Sequence, residues 1–125
     1  MTGGGRSLRG RAAYSGGLEA EHRAAVILGD LGFTVLARRL RTPVGEIDLI
    51  AVDPALLLIV EIKRRPTLRD AAYALTVRQS QRLLSAADYV LGAHPEWHRD
   101  SIRIDVIIFD AAMRARRIQD ALRIS

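Results

Sequence analysis

The stretch VEIKRR at residues 60–65 contains Lys63, the only lysine in a chain that has eighteen arginines. A lysine ammonium can release its proton when its surroundings change, whereas an arginine guanidinium stays protonated. Glu61 lies two residues earlier, and alternate residues of a β-strand point to the same face. Two opposite charges in an otherwise apolar strand must be paired, bound to a metal ion or placed at the solvent end. Glu61 and Lys63 are therefore candidate site residues.

Further carboxylates are expected beside this pair. In the segment GEIDLI, Glu46 and Asp48 share one face of a predicted strand. A hairpin from this strand to the next one would bring Asp48 close to Glu61 and Lys63. Glu21 lies on the apolar stripe of a predicted helix, where a carboxylate is costly unless another group compensates it. Glu46 is expected at the rim or in a structural hydrogen bond, with a further ligand role as the alternative.

Three carboxylates and one ammonium form a set suited to the hydrolysis of a phosphodiester. Mg²⁺ or Mn²⁺ prefers oxygen ligands and lowers the pKa of a bound water. The predicted metal ligands are Glu21, Asp48 and Glu61. Lys63 would orient or deprotonate the water, or stabilise the pentacovalent phosphorus. The structural alternative is an ordinary ion pair between Glu61 and Lys63, with Glu21 as a surface acid.

The hydrophobic pattern predicts the elements that must position these side chains. In chain order they are a helix at 18–31, strands at 33–39, 44–52 and 55–63, a helix at 76–91 and a strand at 101–109. Residues 114–124 are expected to form a fifth strand or a short helix. Because a helix separates the third and fourth strands, these two are expected to be parallel neighbours. The expected fold is α/β, a mixed sheet flanked by helices, in a single domain over 16–125 that follows a flexible basic tail at 1–15.

The charge of the chain favours an anionic partner. The formal net charge is +5 and the pI is about 10.6, which is typical of proteins that bind nucleic acid. Arginines flank the proposed site and are expected to hold DNA phosphates, with a solvated edge as the alternative. They are Arg38, Arg39, Arg41, Arg64 and Arg65. Aromatic residues make up only 5% of the chain, which argues against a base-stacking platform for single strands.

The amino-acid composition also limits the cellular compartments in which we expect the protein. The chain has no cysteine, so disulfides, thiolate zinc sites and cysteine nucleophiles are excluded, and a reducing compartment is expected. No apolar run approaches the roughly 20 residues that span a bilayer, and the first residues lack the apolar segment of a secretory signal. We therefore expect a cytoplasmic protein without a membrane partner.

Five segments carry a family resemblance, namely GLEAEHRAAVIL, GEIDLIAVD, LLIVEIKRR, LTVRQSQRLL and IRIDVIIF. Together they closely resemble the YraN family of bacterial proteins, a predicted endonuclease-like group. The resemblance implies a restriction-endonuclease-like fold of the PD-(D/E)xK superfamily, with an α-β-β-β-α-β core similar to archaeal Holliday-junction resolvases. By this resemblance Glu21 is the helix acid, Asp48 the hairpin acid, and Glu61 with Lys63 the ExK pair. The implied activity is Mg²⁺- or Mn²⁺-dependent cleavage of DNA, on branched or damaged structures.

One position departs from the family pattern, and one alternative function stays open. Family members often have lysine where this chain has Gln79, which is expected to be a weakened DNA contact, part of a capping box with Thr76, or both. Arg103 and Asp105 are expected to form a buried ion pair that supports the site. The alternative function is a non-catalytic module that binds nucleic acid or a protein partner. Small nucleases of this kind often form homodimers, and a homodimer is compatible with the sequence.

Overall fold

The computed structural model describes the backbone of residues 4–122 and the side chains of residues 17–122. In this part of the chain, one five-stranded sheet is flanked by helices. The elements are α1 Gly4–Asp30, β1 Thr34–Thr42, β2 Gly45–Val52, β3 Leu56–Arg64, α2 Leu68–Ala72, α3 Val77–Ala93, a 3₁₀ turn at Pro95–Trp97, β4 Ser101–Phe109 and β5 Ala115–Leu122. None of these helices is long and apolar enough to cross a membrane.

The five strands follow one another across the sheet in chain order. The pairs β1–β2 and β2–β3 are antiparallel, β3–β4 is parallel, and β4–β5 is antiparallel. A parallel pair needs a long crossover, which α2 and α3 provide between β3 and β4. The predicted α/β fold, with its α-β-β-β-α-β core and mixed sheet, is therefore confirmed, and the last segment is a fifth strand.

Apolar residues on both faces bury the centre of the sheet. On β3, Leu58 and Val60 pack with α1, whereas Leu57 and Ile59 pack with α3. Successive strand residues point to opposite faces, so α1 covers one face and α3 covers the other. α2 lies on the face of α3, since it packs against alternate residues of β4. β3 is thus buried on both sides, as its continuous apolar run predicts.

The structure differs from the sequence prediction at two helices. α1 begins at Gly4, so residues 4–15 of the expected flexible tail are helical, while residues 1–3 lie outside the described part of the chain. Extending an existing helix adds a hydrogen bond per residue without a new nucleus, which favours this continuation. The sequence does not predict α2, because five residues are too few to show a helical period. Thr67 starts α2 by accepting a hydrogen bond from the N–H of Asp70.

Candidate functional site

The strands β2 and β3 separate at the position of Asp48. Within the described residues, their backbone pairing ends at Leu49 and Val60. Beyond that point, Oδ2 of Asp48 accepts a hydrogen bond from the backbone N–H of Ile62 at 2.7 Å. The Asp48 carboxylate therefore takes the place of a backbone partner and lies in the gap between the two strands.

Glu61 is buried and its carboxyl group contacts that of Asp48. The residue is 7% exposed. The pKa of the Glu61 carboxyl is raised from 4.5 to about 8, mainly by burial and then by the hydrogen bond and negative charge of Asp48, while the Lys63 charge lowers it in part. Because this pKa lies above neutrality, the Glu61 carboxyl keeps its proton at pH 7, and the charge of Lys63 offsets the effect of burial and Asp48 only in part.

Glu61 and Lys63 share a face of β3, as the sequence predicts. Val60 and Ile62 pack toward α1, so Glu61 and Lys63 point to the opposite face, which α2 and α3 cover. Lys63 is partly buried, and its positive charge acts on Glu61. The structure thus groups Asp48 and Lys63 around Glu61.

A cavity of about 430 Å³ opens on the α1 side of the gap. Its lining combines carboxylates and guanidinium groups with a small apolar base. The lining residues are Gly17, Ala20, Glu21, Arg39, Glu46, Asp48, Ile62, Arg64 and Arg65. Glu61 and Lys63 are absent from this lining because they lie on the other face of β3. Asp48 therefore connects the cavity to the carboxylate pair.

Glu21 lines this cavity and forms an ion pair with Arg39. Oε2 of Glu21 accepts a hydrogen bond from Nε of Arg39 at 2.5 Å, and the Glu21 side chain is 12% exposed. The β1–β2 register places Arg39 opposite Asp48. Arg39 has a φ of 49°, in the left-handed region that non-glycine residues seldom adopt. The compensation that the inward Glu21 requires thus comes from an arginine.

The role of Arg39 in pairing with Glu21 is not predicted from the sequence, which indicates a phosphate contact on a short regular strand. An arginine in the left-handed region leaves no sequence signal, because glycine and asparagine are the residues that usually mark that conformation. The only available hint is that an inward Glu21 needs a cationic neighbour.

The expected three metal ligands are not assembled together. Within residues 17–122, no group of three or more histidine, aspartate or glutamate side chains is arranged to hold a metal ion. Asp48 and Glu61 meet, while Glu21 pairs with Arg39. Two protein carboxylates are nevertheless enough to bind Mg²⁺ or Mn²⁺, because substrate phosphate and water usually complete the coordination of such an ion. A cation bound between Asp48 and Glu61 would replace the proton that Glu61 holds, because it would let both carboxyl groups ionise.

The arginines expected to bind phosphate divide into two groups. Arg39, Arg64 and Arg65 line the cavity, and the last two directly follow Lys63 in the chain. Arg38 and Arg41 lie on β1 and are not part of the cavity lining. The first group is therefore placed to contact an anion in the cavity.

The side chain of Gln79 completes the predicted capping box of α3. Oε1 of Gln79 accepts from the N–H of Thr76 at 3.1 Å, and Oγ1 of Thr76 accepts from the N–H of Gln79 at 3.1 Å. The capping prediction is confirmed. A DNA contact by Gln79 would have to use its amide NH₂ group.

The predicted Arg103–Asp105 pair is confirmed. Asp105 is fully buried and accepts two hydrogen bonds from Arg103, at 2.8 and 2.9 Å. In the parallel register Asp105 is the neighbour of Val60, one residue before Glu61. The pair therefore stabilises β4 next to the part of β3 that carries the site.

Comparison with known proteins supports the family expected from the sequence. The profile of the uncharacterised protein family UPF0102 matches residues 20–109, which include the acids and the lysine described above. A UPF0102 protein of Granulibacter bethesdensis is 53% identical over 117 residues, covering 94% of this chain and 74% of the relative. One from Nitrobacter winogradskyi is 50% identical over 97 residues, covering 78% and 82%. One from Bradyrhizobium sp. is also 50% identical over 97 residues, covering 78% and 69%. The chain therefore belongs to UPF0102, the YraN family of bacterial proteins.

Proposed function

We propose that the chain is a Mg²⁺- or Mn²⁺-dependent endonuclease that hydrolyses phosphodiester bonds in DNA. The observation that carries this proposal is the buried Asp48–Glu61 pair, which holds a proton where two strands separate, next to Lys63. Carboxyl groups whose pKa is strongly shifted by burial and by a neighbouring charge are concentrated at functional sites. The basic surface and the arginine-lined cavity favour a nucleic acid as the substrate.

Each residue of the site has a defined role in this proposal. Asp48 and Glu61 would hold the divalent ion, and Glu61 would give up its proton to solvent on binding it. The ion would supply a lower pKa for a bound water and positive charge next to the phosphate. Lys63 donates a hydrogen bond to a phosphate oxygen and stabilises the charge that accumulates there. Arg64 and Arg65 hold the neighbouring phosphate through their guanidinium groups.

The first test is a calorimetric titration of Mn²⁺ at pH 7 in two buffers with different ionisation enthalpies. We expect the wild type to release about one proton per ion, because Glu61 must ionise. Asp48→Asn and Glu61→Gln should abolish binding, whereas Asp88→Asn, which changes an exposed carboxylate of α3 outside the cavity, should bind like the wild type. Ion binding without proton release, or equal binding by all variants, contradicts the assigned ligands.

The second test is cleavage of linear, nicked and branched DNA with Mg²⁺ or Mn²⁺. Asp48→Asn, Glu61→Gln and Lys63→Ala should lose cleavage and keep DNA affinity, because the arginines are unchanged. Cleavage by these variants at the wild-type rate contradicts the proposal. A branched substrate cut in preference to the linear one would support action on branched or damaged DNA.

A non-catalytic module that binds nucleic acid is the second candidate. The Glu21–Arg39 pair favours it, because this pair keeps the helix acid from joining Asp48 and Glu61. The use of Gln79 in the capping box points the same way. Under this candidate, neither Mg²⁺ nor Mn²⁺ binds, even in the presence of DNA, and no DNA substrate is cut. The calorimetric and cleavage tests above therefore also decide between the two candidates.

A further inference from the structure

Two large apolar side chains are unusually exposed at the connection between α2 and α3. Tyr73 is 79% exposed and Val77 is 76% exposed, more than any other large hydrophobic residue in the described part of the chain. Tyr73 is the C-terminal cap of α2, and Val77 is the first residue of α3. Single exposed hydrophobic residues are common, so their meaning depends on what lies around them.

This connection lies beside the face of β3 that carries the site. In the parallel register, Glu61 neighbours Val106 and Lys63 neighbours Ile108. Both of these β4 residues pack against Ala71 of α2. α2 therefore lies alongside Glu61 and Lys63, on the same face of the sheet.

The side chain of Tyr73 is exposed to solvent at the C-terminal end of α2. Tyr73 follows Ala71 by two residues, and its N–H donates to the carbonyl of Arg69 at 3.3 Å, so it remains part of the last turn of α2. Because Ala71 is fixed against β4, the backbone of Tyr73 is fixed as well. The exposed ring is thus held on a short, anchored helix that lies on the same face of the sheet as Lys63.

The chain segment that contains Tyr73 is positively charged, which complements a nucleic acid. Residues 64–78 contain four arginines and a single acid, Asp70. Of these arginines, Arg65, Arg69 and Arg78 are exposed. An exposed aromatic ring on a chain segment rich in arginine is a combination by which proteins stack on an unpaired base and hold the adjoining phosphates.

We propose that Tyr73 stacks on an unpaired base next to the phosphodiester bound at the site. This inference rests on the proposed function and specifies its substrate class as duplex DNA with a locally unpaired base, such as a bulge or a flap. A continuous single strand is not the expected ligand, because a single-strand groove carries a series of aromatic residues. Here the surface presents one ring.

The test is fluorescence anisotropy with labelled DNA and no divalent ion, so that binding is measured without cleavage. The probes are an intact duplex and the same duplex with one bulged nucleotide. The variants are Tyr73→Ala, Tyr73→Phe and Tyr89→Ala. Tyr89 is the matched control, a tyrosine on α3 that is 45% exposed.

We expect the wild type to prefer the bulged duplex by about 5- to 100-fold, the range that stacking on one base gives. Tyr73→Ala should lose this preference and keep its affinity for the intact duplex. Tyr73→Phe and Tyr89→Ala should retain the preference, because the first keeps the ring and the second lies elsewhere. Equal affinity of the wild type for both probes would overturn the inference.

Two other results would also overturn it. In the first, Tyr73→Ala weakens binding to both probes equally, and the ring is then a general DNA contact. Light scattering could show that Tyr73→Ala converts a dimer into a monomer with the bulge preference unchanged, and the surface would then be a protein interface. The binding assay contains no divalent ion, so its outcome does not depend on DNA cleavage. The proposals of cleavage and of base stacking by Tyr73 can therefore be refuted independently.

Discussion

The Asp48–Glu61 pair makes a specific prediction about how stability depends on pH. The folded state holds the Glu61 proton up to about pH 8, whereas the unfolded chain releases it near 4.5. A group with a raised pKa stabilises the folded state fully below its unfolded pKa, and this contribution is lost as the pH rises. The free energy of unfolding of the wild type should therefore fall between about pH 5 and 8.

The size of this loss follows from the pKa of Glu61. Each tenfold change in proton affinity is about 1.4 kcal/mol, so a rise from 4.5 to about 8 sets an upper limit of about 5 kcal/mol. Local relaxation and water entry reduce this value, and we expect about 2 to 5 kcal/mol. Domains of this kind have total stabilities of roughly 5–15 kcal/mol. The loss is thus a large fraction of the whole and is easily measured.

This loss of unfolding free energy can be measured by urea denaturation from pH 5 to 9. The proteins to compare are the wild type, Glu61→Gln and Glu46→Gln. The glutamine side chain introduced by Glu61→Gln cannot ionise and can still hydrogen-bond to Asp48, so this variant should lack the decline and be the more stable protein at pH 9. The Glu46→Gln profile should parallel the wild type. Mn²⁺ should restore wild-type stability more at pH 8 than at pH 5.5, since the ion competes with the proton. A constant difference between Glu61→Gln and the wild type across this range refutes the reasoning.

Three further predictions concern the groups that support the site. Arg39→Gln leaves the inward Glu21 without this ion pair and should lower the free energy of unfolding by about 1–2 kcal/mol, as measured by chemical denaturation. The expected loss is modest because the Arg39 side chain is a third exposed and solvent screens the pair. Thr76→Ala removes half of the capping box and should cost about 1 kcal/mol, while Thr76→Ser should restore most of it. Asp105→Ala leaves Arg103 without its bidentate partner and should cost about 3 kcal/mol; a loss below about 1 kcal/mol would show that solvent replaces the pair.

The strands were predictable because burial dictates their pattern. The β3 run is apolar on both faces, which is typical of a central strand, and a helix between β3 and β4 favours a parallel pair. The β4 prediction at 101–109 matches Ser101–Phe109. The start of α1 and the whole of α2 were not predictable, because local capping and helix extension decide them. Such short-range effects leave no hydrophobic period.

The site was predictable to the extent that strand alternation is regular. In β3, Val60 and Ile62 both pack toward α1, as alternation predicts, and the hairpin brings Asp48 to Glu61. In β2, however, Ile47 packs toward α3 and Leu49 packs toward α1, although residues two apart normally share a face. The side-chain alternation of β2 therefore breaks at Asp48, and Arg39 of β1 adopts the left-handed conformation opposite it. These irregularities depend on tertiary contacts, so the ion pair of Glu21 could not be predicted.

Under the proposed function, the irregularity at Asp48 would allow groups on both faces of the sheet to contact one substrate. Arg64 and Arg65 line the cavity on the α1 side, whereas Glu61 and Lys63 lie on the face of α2 and α3. A regular ladder between β2 and β3 would separate the two sides. Asp48 keeps the strands apart and touches both sides, through the N–H of Ile62 and the carboxyl of Glu61. Under the proposed function, a bound phosphate would contact arginine on one side and Lys63 through the gap.

This dual role decides which Asp48 variant is informative. Asp48→Ala removes a proposed ligand and also the acceptor of the Ile62 N–H, so β2 and β3 could pair further and close the gap. Asp48→Asn keeps an oxygen for that N–H and removes only the charge. We expect Asp48→Asn to retain wild-type DNA affinity and lose Mn²⁺ binding. If Asp48→Ala loses DNA affinity as well, the gap itself is part of the binding surface. If Asp48→Asn binds Mn²⁺ like the wild type, Asp48 is a structural acceptor and not a ligand.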